Sequence, residues 1–160
     1  MIRFAKKNDA KEIVYINIMG WKNTYKNIFP QEFLDNLNPD DELNIDKCKN
    51  KIDEYIVCEI DKKIVGMARY GDNKKGYDSS YGEIYAIYVD SNYEGKGIGT
   101  EIVNFILKNV KNRYKHILIS TLEQNSANEF YKKIGGKFIG KSEFELNKDI
   151  YMENIYKYDI

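Results

Sequence analysis

The stretch Val89-Asp90-Ser91-Asn92-Tyr93-Glu94-Gly95-Lys96-Gly97-Ile98-Gly99-Thr100 decides how this chain is read. Ahead of it, Glu83 to Val89 is a nearly unbroken apolar run, the pattern of a central strand covered on both faces. Behind it, Ile98, Ile102, Phe105, Ile106 and Val110 recur at helical spacing and predict an amphipathic helix from about Gly97 to Lys111. The glycines therefore occupy a turn from a buried strand into a helix. Glycine lets the backbone curl with φ > 0 and lets a ligand come close. The first N–H groups of a helix have no intrahelical acceptor, and the helix dipole adds partial positive charge. Such a turn seats a phosphate or diphosphate, with Lys96 adding a full charge at its rim.

Further out, Ile2 to Phe4 reads as a short strand, and Asp9 with Glu12 as a capping box opening a helix through Ile13, Ile16 and Met19. Phe33, Leu34 and Leu37 predict a second helix after Pro30, and Asn38 to Lys51 stays ambiguous. Tyr55 to Ile60 and Ile64 to Tyr70 form a predicted hairpin across Asp61-Lys62-Lys63, followed by a polar turn region from Gly71 to Ser80. Downstream, His116 to Thr121 reads as a strand. Ala127, Phe130, Tyr131 and Ile134 form a helical stripe ended by Gly135-Gly136, and Lys137 to Leu146 and Ile150 to Tyr158 are two closing strands. No repeat or linker divides the chain, so the expectation is one mixed α/β domain over residues 1–160.

Composition excludes several function classes. Lys plus Arg and Asp plus Glu both number 25, so no global field recruits nucleic acid or an anionic membrane. No apolar run approaches the roughly 20 residues that span a bilayer, and Met1 to Ala10 lacks a signal-peptide core. Cys48 and Cys58 form no CxxC and no disulfide framework, which points to a reducing cytoplasm. One histidine, His116, leaves no basis for a His-rich metal site or a His-based triad, so no metal is expected. The expected partner is a small molecule or a local patch on another protein; a homodimer stays open.

Three phosphate-binding patterns compete for the glycine loop. The P-loop pattern GxxxxGK followed by Ser or Thr is absent. The dinucleotide pattern GxGxxG fails because the glycines fall at 95, 97 and 99, although Glu123 lies where a ribose-binding acid would. Val89 is also six positions before Gly95, too far for that tight turn. The third fits better: Glu94-Gly95-Lys96-Gly97-Ile98-Gly99 resembles the acetyl-CoA loop of the GNAT superfamily. That signature runs Gln or Arg, two free positions, Gly, one free position, then Gly or Ala. Glu94 departs from it, but the binding groups are main-chain amides. About thirty residues on, Asn125-x-Ala127-x-x-Phe130-Tyr131 ending in Gly135-Gly136, with Phe138 two residues later, resembles the family's Asn-to-Tyr helix. Taken singly, Asn125 or Ser126 also reads as a helix cap, Ser126 with Glu129 as a capping box, and Tyr131 as core.

The resemblance implies a GNAT fold: a mostly antiparallel twisted sheet of six or seven strands with flanking helices, splayed between parallel central strands Glu83–Val89 and His116–Thr121. It implies an N-acetyltransferase that moves acetyl from acetyl-CoA to a primary amine of a small molecule. Acceptance of a protein N-terminus or lysine, or a non-catalytic acyl-CoA sensor, are the alternatives. Residues Glu94, Gly95, Lys96, Gly97, Ile98, Gly99 and Thr100 would hold the coenzyme's diphosphate, and Asn125 its pantetheine arm. The Ile87 amide would face the acetyl carbonyl and Val89 the pantetheine. Glu83, eleven positions before Glu94, matches the offset of the catalytic base in the histone-acetyltransferase branch; a solvated strand-edge carboxylate is the plainer reading. Tyr131 would protonate the departing thiolate. Trp21, Tyr25, Phe29 and Tyr85 are candidates for an aromatic-walled amine site, where cation–π contact is plausible, or for core.

Overall fold

The computed structural model describes all 160 residues. Strands β1 (Ile2–Phe4), β2 (Tyr55–Ile60), β3 (Lys63–Asp72), β4 (Tyr81–Val89), β5 (His116–Leu122), β6 (Lys137–Leu146) and β7 (Asp149–Asp159) form one sheet in the order β1-β2-β3-β4-β5-β7-β6. Its middle pair, β4 and β5, is parallel, while β1–β2, β2–β3, β5–β7 and β6–β7 are antiparallel. The helices are α1 (Ala10–Thr24), α2 (Gln31–Asp35), α3 (Glu42–Asn50), α4 (Ile98–Val110) and α5 (Ala127–Lys133). The ambiguous Asn38–Lys51 segment thus holds a helix, opened where the Asp41 side chain accepts from the Leu43 N–H.

Contacts group the chain into two compact units. The first comprises residues 1–70 and 86–106; the second comprises 71–85 and 107–160. In the first, Ala10, Ile13, Val14, Ile16 and Ile18 of α1 bury against Cys48 of α3 and Val57, Ile64 and Met67 of the β2–β3 hairpin. Burial of these side chains supplies most of the unit's stability, at about 1.5–3 kcal/mol for each large aliphatic group. The hairpin turns on Asp61 and Lys62 alone, at φ 49° and 64°, the two positive values of a type I′ turn. It is one residue shorter than the sequence suggests.

The expected capping box at α1 is not formed. Both oxygens of Asp9 are taken by the Arg3 guanidinium, at 2.8 and 3.1 Å, and one also accepts from the Lys6 N–H at 2.7 Å. Glu12 instead accepts from the Ile64 N–H at 3.0 Å, tying α1 to β3. A bidentate guanidinium outcompetes a single helix-end amide for one carboxylate.

In the second unit, β5 and β7 pair from His116↔Asp159 to Leu122↔Glu153, and β6 covers β7 along its length. Ile117, Leu118, Ile119, Tyr156 and Tyr158 are buried there. The parallel ladder runs from Tyr81↔His116 to Ile84↔Ile119.

Candidate active site

In the first unit, the main chain leaves β4 at Asp90, whose N–H donates to the Val65 carbonyl at 2.8 Å. The Asp90 carboxylate accepts from the Asn92 N–H at 2.9 Å and lies 3.8 Å from the Lys63 ammonium, so its charge is answered within the loop. Gly95 and Gly97 adopt φ 75° and 80°, with nothing within 4 Å of where a Cβ would stand. The positive φ, rather than crowding, is what calls for glycine here, and the space beside it is open. The first turn of α4 closes when the Glu101 N–H donates to the Gly97 carbonyl at 3.0 Å. Amides earlier in that turn lack an intrahelical acceptor, as a helix start requires. Lys96 and Lys63 hold their ammonium groups 5.2 and 5.8 Å from the Tyr93 ring centre, which keeps two cations beside the loop. Open amides, left-handed glycines and the Lys96 cation fit a diphosphate, while Glu94 and, in the first turn of α4, Glu101 set like charges against it. Ile87 and Val89 are half-buried near the end of β4, on the strand face that Glu83 and Tyr85 share by alternation. Lys63 and Tyr93 are contributions that the glycine motif alone does not reveal.

Also in the first unit, Trp21, Tyr25 and Phe29 gather with Phe33 into one aromatic cluster. Ring centres are 4.9 Å apart for Trp21–Tyr25, 4.5 Å for Tyr25–Phe29 and 5.7 Å for Trp21–Phe29. The Tyr88 hydroxyl reaches the Tyr25 hydroxyl at 3.5 Å.

In the second unit, Glu83 is 6 % exposed on β4. Its carboxylate accepts from the Lys74 N–H at 2.8 Å. Burial raises its proton affinity above the usual carboxylate value, and the Glu153 charge adds to this; the Lys74 N–H and the Lys75 and Lys74 ammonium groups oppose it. Glu153 itself is ion-paired to Lys75 at 3.1 Å. Register places both acids on one sheet face: Glu83 pairs Leu118, Glu153 pairs Leu122, and those leucines are four residues apart on β5. Ser120 lies between them on that face, and its hydroxyl oxygen, like that of Ser142 opposite Glu153, is buried with no protein partner. Glu83 is therefore a buried, electrostatically tuned group rather than a solvated strand-edge acid. Tyr85 follows it; its hydroxyl donates to the Asp72 carbonyl, and the Lys74 ammonium stands 4.2 Å over its ring. One face of the Tyr85 ring thus carries the chain's own lysine.

Tyr131 is 7 % exposed on α5. Its carbonyl accepts from the Gly136 N–H at 2.9 Å, and the Gly135 N–H donates to the Lys132 carbonyl at 3.1 Å, the double bond pattern that ends a helix on a left-handed residue. Gly135 supplies that conformation at φ 108°. The Tyr158 hydroxyl also donates to the Tyr131 carbonyl, at 2.8 Å. Ser126 makes no side-chain cap; the Asn125 oxygen accepts from the Ala127 N–H at 2.9 Å, so Asn125 caps α5. Asn128, unremarked in the sequence, is buried. Its amide donates to the carbonyls of Leu122, Glu123 and Asn125, and its oxygen accepts from the Tyr156 hydroxyl at 2.6 Å and the Asn154 amide at 3.0 Å.

The remaining polar candidates are accounted for. His116 Nδ1 lies 2.6 Å from Asp159, and Glu123 is ion-paired with Lys141. Burial pushes the Cys48 thiol up to about 11 and raises that of Cys58, which leaves neither as a thiolate nucleophile.

Residues 18–136 match the model of the acetyltransferase (GNAT) family, and the chain belongs to that family. It is 27% identical over 154 residues to an uncharacterized N-acetyltransferase, YuaI, of Bacillus subtilis, a match covering 91% of this chain and 84% of the relative. Among solved structures it resembles the PaiA N-acetyltransferase of Thermoplasma acidophilum in complex with coenzyme A. That likeness has TM-score 0.75 and 20% identity over 96% of each chain. It also resembles yncA of Salmonella typhimurium, a putative acetyltransferase with acetyl-CoA, at TM-score 0.72 and 16% identity, covering 99% of this chain and 92% of that one. The fold is therefore the GNAT fold, and the chain is an acyl-CoA-dependent acetyltransferase. No helix is long and apolar enough to cross a membrane.

Proposed function

We propose that this acetyltransferase moves acetyl from acetyl-CoA to a primary amine of a small molecule in the cytoplasm, by direct attack on the thioester. The observation that carries the reading is Glu83: a buried carboxylate of raised proton affinity, on the strand that leads into the glycine loop. An aliphatic ammonium with pKa near ~10.4 must lose a proton before it attacks, and a buried carboxylate of raised proton affinity is suited to take it. The parallel ladder closes at Ile84↔Ile119, whereas β4 continues to Val89. We read that extra length as the edge along which the pantetheine arm adds like a strand, as the splay expected from the sequence requires. The glycine loop would hold the diphosphate and Asn125 the arm.

In this scheme the amine nitrogen bonds to the acetyl carbon and Glu83 receives its proton. The Ile87 N–H donates to the carbonyl oxygen as charge develops there, an interaction worth a few kcal/mol when preorganised. As the carbon–sulfur bond breaks, the Tyr131 hydroxyl gives a proton to the thiolate. The test is release of free thiol from acetyl-CoA across a panel of amines. Turnover on small amines supports the proposal. Turnover restricted to a peptide N-terminus or lysine reassigns the acceptor. Tight acetyl-CoA binding with no turnover on any amine makes the chain a sensor and ends the catalytic reading.

A further inference from the structure

The connection Gly71–Ser80 looks, in sequence, like a generic polar turn. In the structure it is organised around one side chain. The Asn73 amide donates to the carbonyls of Tyr77, Asp78 and Tyr81 at 3.0, 3.1 and 3.1 Å. Its oxygen accepts from the Lys75 N–H at 3.1 Å and the Tyr77 N–H at 3.0 Å. Both polar ends of Asn73 are thus spent inside nine residues, and the shape they impose has two outputs. The neighbouring Lys74 N–H points at Glu83, and the next residue, Lys75, delivers its ammonium to Glu153.

We infer that Asn73 is a positioning residue of the acetyl-transfer reaction, holding the connection between β3 and β4 in the shape that aims the Lys74 N–H at Glu83 and brings the Lys75 ammonium to Glu153. The inference rests on Glu83 being the base. Burial pushes the Glu83 carboxyl toward its protonated form, which cannot accept a proton. Three groups from the connection oppose this: the Lys74 N–H and the Lys74 and Lys75 charges. From β7, Glu153 acts the other way; from β5, the facing residue is apolar Leu118. The groups that oppose burial at Glu83 therefore come from a loop whose geometry Asn73 fixes.

The groups act with opposite signs, and this makes the inference testable by the acid-side limb of kcat/KM against pH. Asn73→Ala releases the Lys74 N–H and loosens Lys75, so the limb moves to higher pH, with kcat at neutral pH reduced roughly ten-fold and the KM for acetyl-CoA unchanged. Lys75→Met removes an opposing cation and also moves the limb up. Glu153→Gln removes a repelling anion and leaves Lys75 unpaired, so the limb moves down. If Asn73→Ala does not fold, Asn73→Ser, whose short hydroxyl replaces the amide but cannot reach its several partners at once, takes its place and shifts the limb in the same direction. Equal loss of activity at every pH in the Asn73 variants, with the limb unmoved, makes Asn73 merely structural and overturns the inference. Glu83→Gln separates the two levels: if the limb persists in that variant, the base assignment has failed. If the limb vanishes there while Asn73 variants leave it in place, only the positioning role has failed.

Discussion

The glycine loop and the Glu83–Tyr131 region divide the expected labour of this enzyme in different physical currencies. From Glu94 to Gly97 the loop is exposed, and what it offers a ligand is main chain, aimed by two glycines at positive φ. Glu83 and Tyr131 are side chains, both buried, and their setting combines near neighbours in sequence with residues of β7 far along the chain. Lys74 and Glu153 tune Glu83, while Tyr158 and Gly136 fix the Tyr131 carbonyl. Main-chain recognition is written in a dozen consecutive letters; side-chain chemistry is written in contacts that only folding brings together.

Substitutions should separate the two regions. The largest effect is expected for Glu83→Gln: kcat/KM falls by about 10²–10⁴ while calorimetric affinity for acetyl-CoA is unchanged. Tyr131→Phe is expected to lower turnover by roughly ten- to a hundred-fold, again sparing affinity; unchanged turnover removes Tyr131 from the scheme. Gly97→Val should invert the pattern. Forcing a branched side chain to φ near 80° costs about 1–3 kcal/mol, so coenzyme affinity weakens by about ten-fold or more, and kcat at saturation survives. Lys96→Ala is expected to be smallest, a two- to three-fold loss of affinity by rough estimate that disappears in high salt. If Lys96→Ala proves as costly as Gly97→Val, side-chain charge rather than main chain dominates the loop, and the contrast breaks.

Stability gives a second way to sharpen it. The native state holds the Glu83 proton more tightly than the unfolded chain does. The contribution of Glu83 is therefore fully present below the ordinary carboxylate value and is lost as pH rises through the raised one. At neutral pH, Glu83→Gln should consequently melt at an equal or higher temperature than the parent, while being far less active. Asp9 runs the other way. The Arg3 guanidinium holds its pKa low, so its contribution is present above the ordinary Asp value and is lost as pH falls. Thermal melts of Glu83→Gln and Asp9→Asn across pH check the two signs together.

Most of the fold was legible because its elements carry local periodicity. The β2–β3 hairpin, α4 and the β4 run appear within a residue or two of where apolar spacing puts them. The failures lie in side-chain partnerships that apolar spacing does not report. Asp9 looked like a cap because its competitor, Arg3, sits on a strand rather than in the helix. Asn128 looked like an ordinary helical residue because its partners Tyr156 and Asn154 lie 28 and 26 positions away. Asn73 was hidden because sequence shows a polar turn but not which amide organises it.

The tyrosines of β7 have a consequence for the order of events during synthesis. The Asn128 amide and the Gly136 N–H already hold α5 locally, and Tyr156 and Tyr158 add their bonds to Asn128 and the Tyr131 carbonyl only once β7 has emerged. A nascent chain halted before β7 already carries the whole glycine loop but not the β7 clamps on its candidate proton donor.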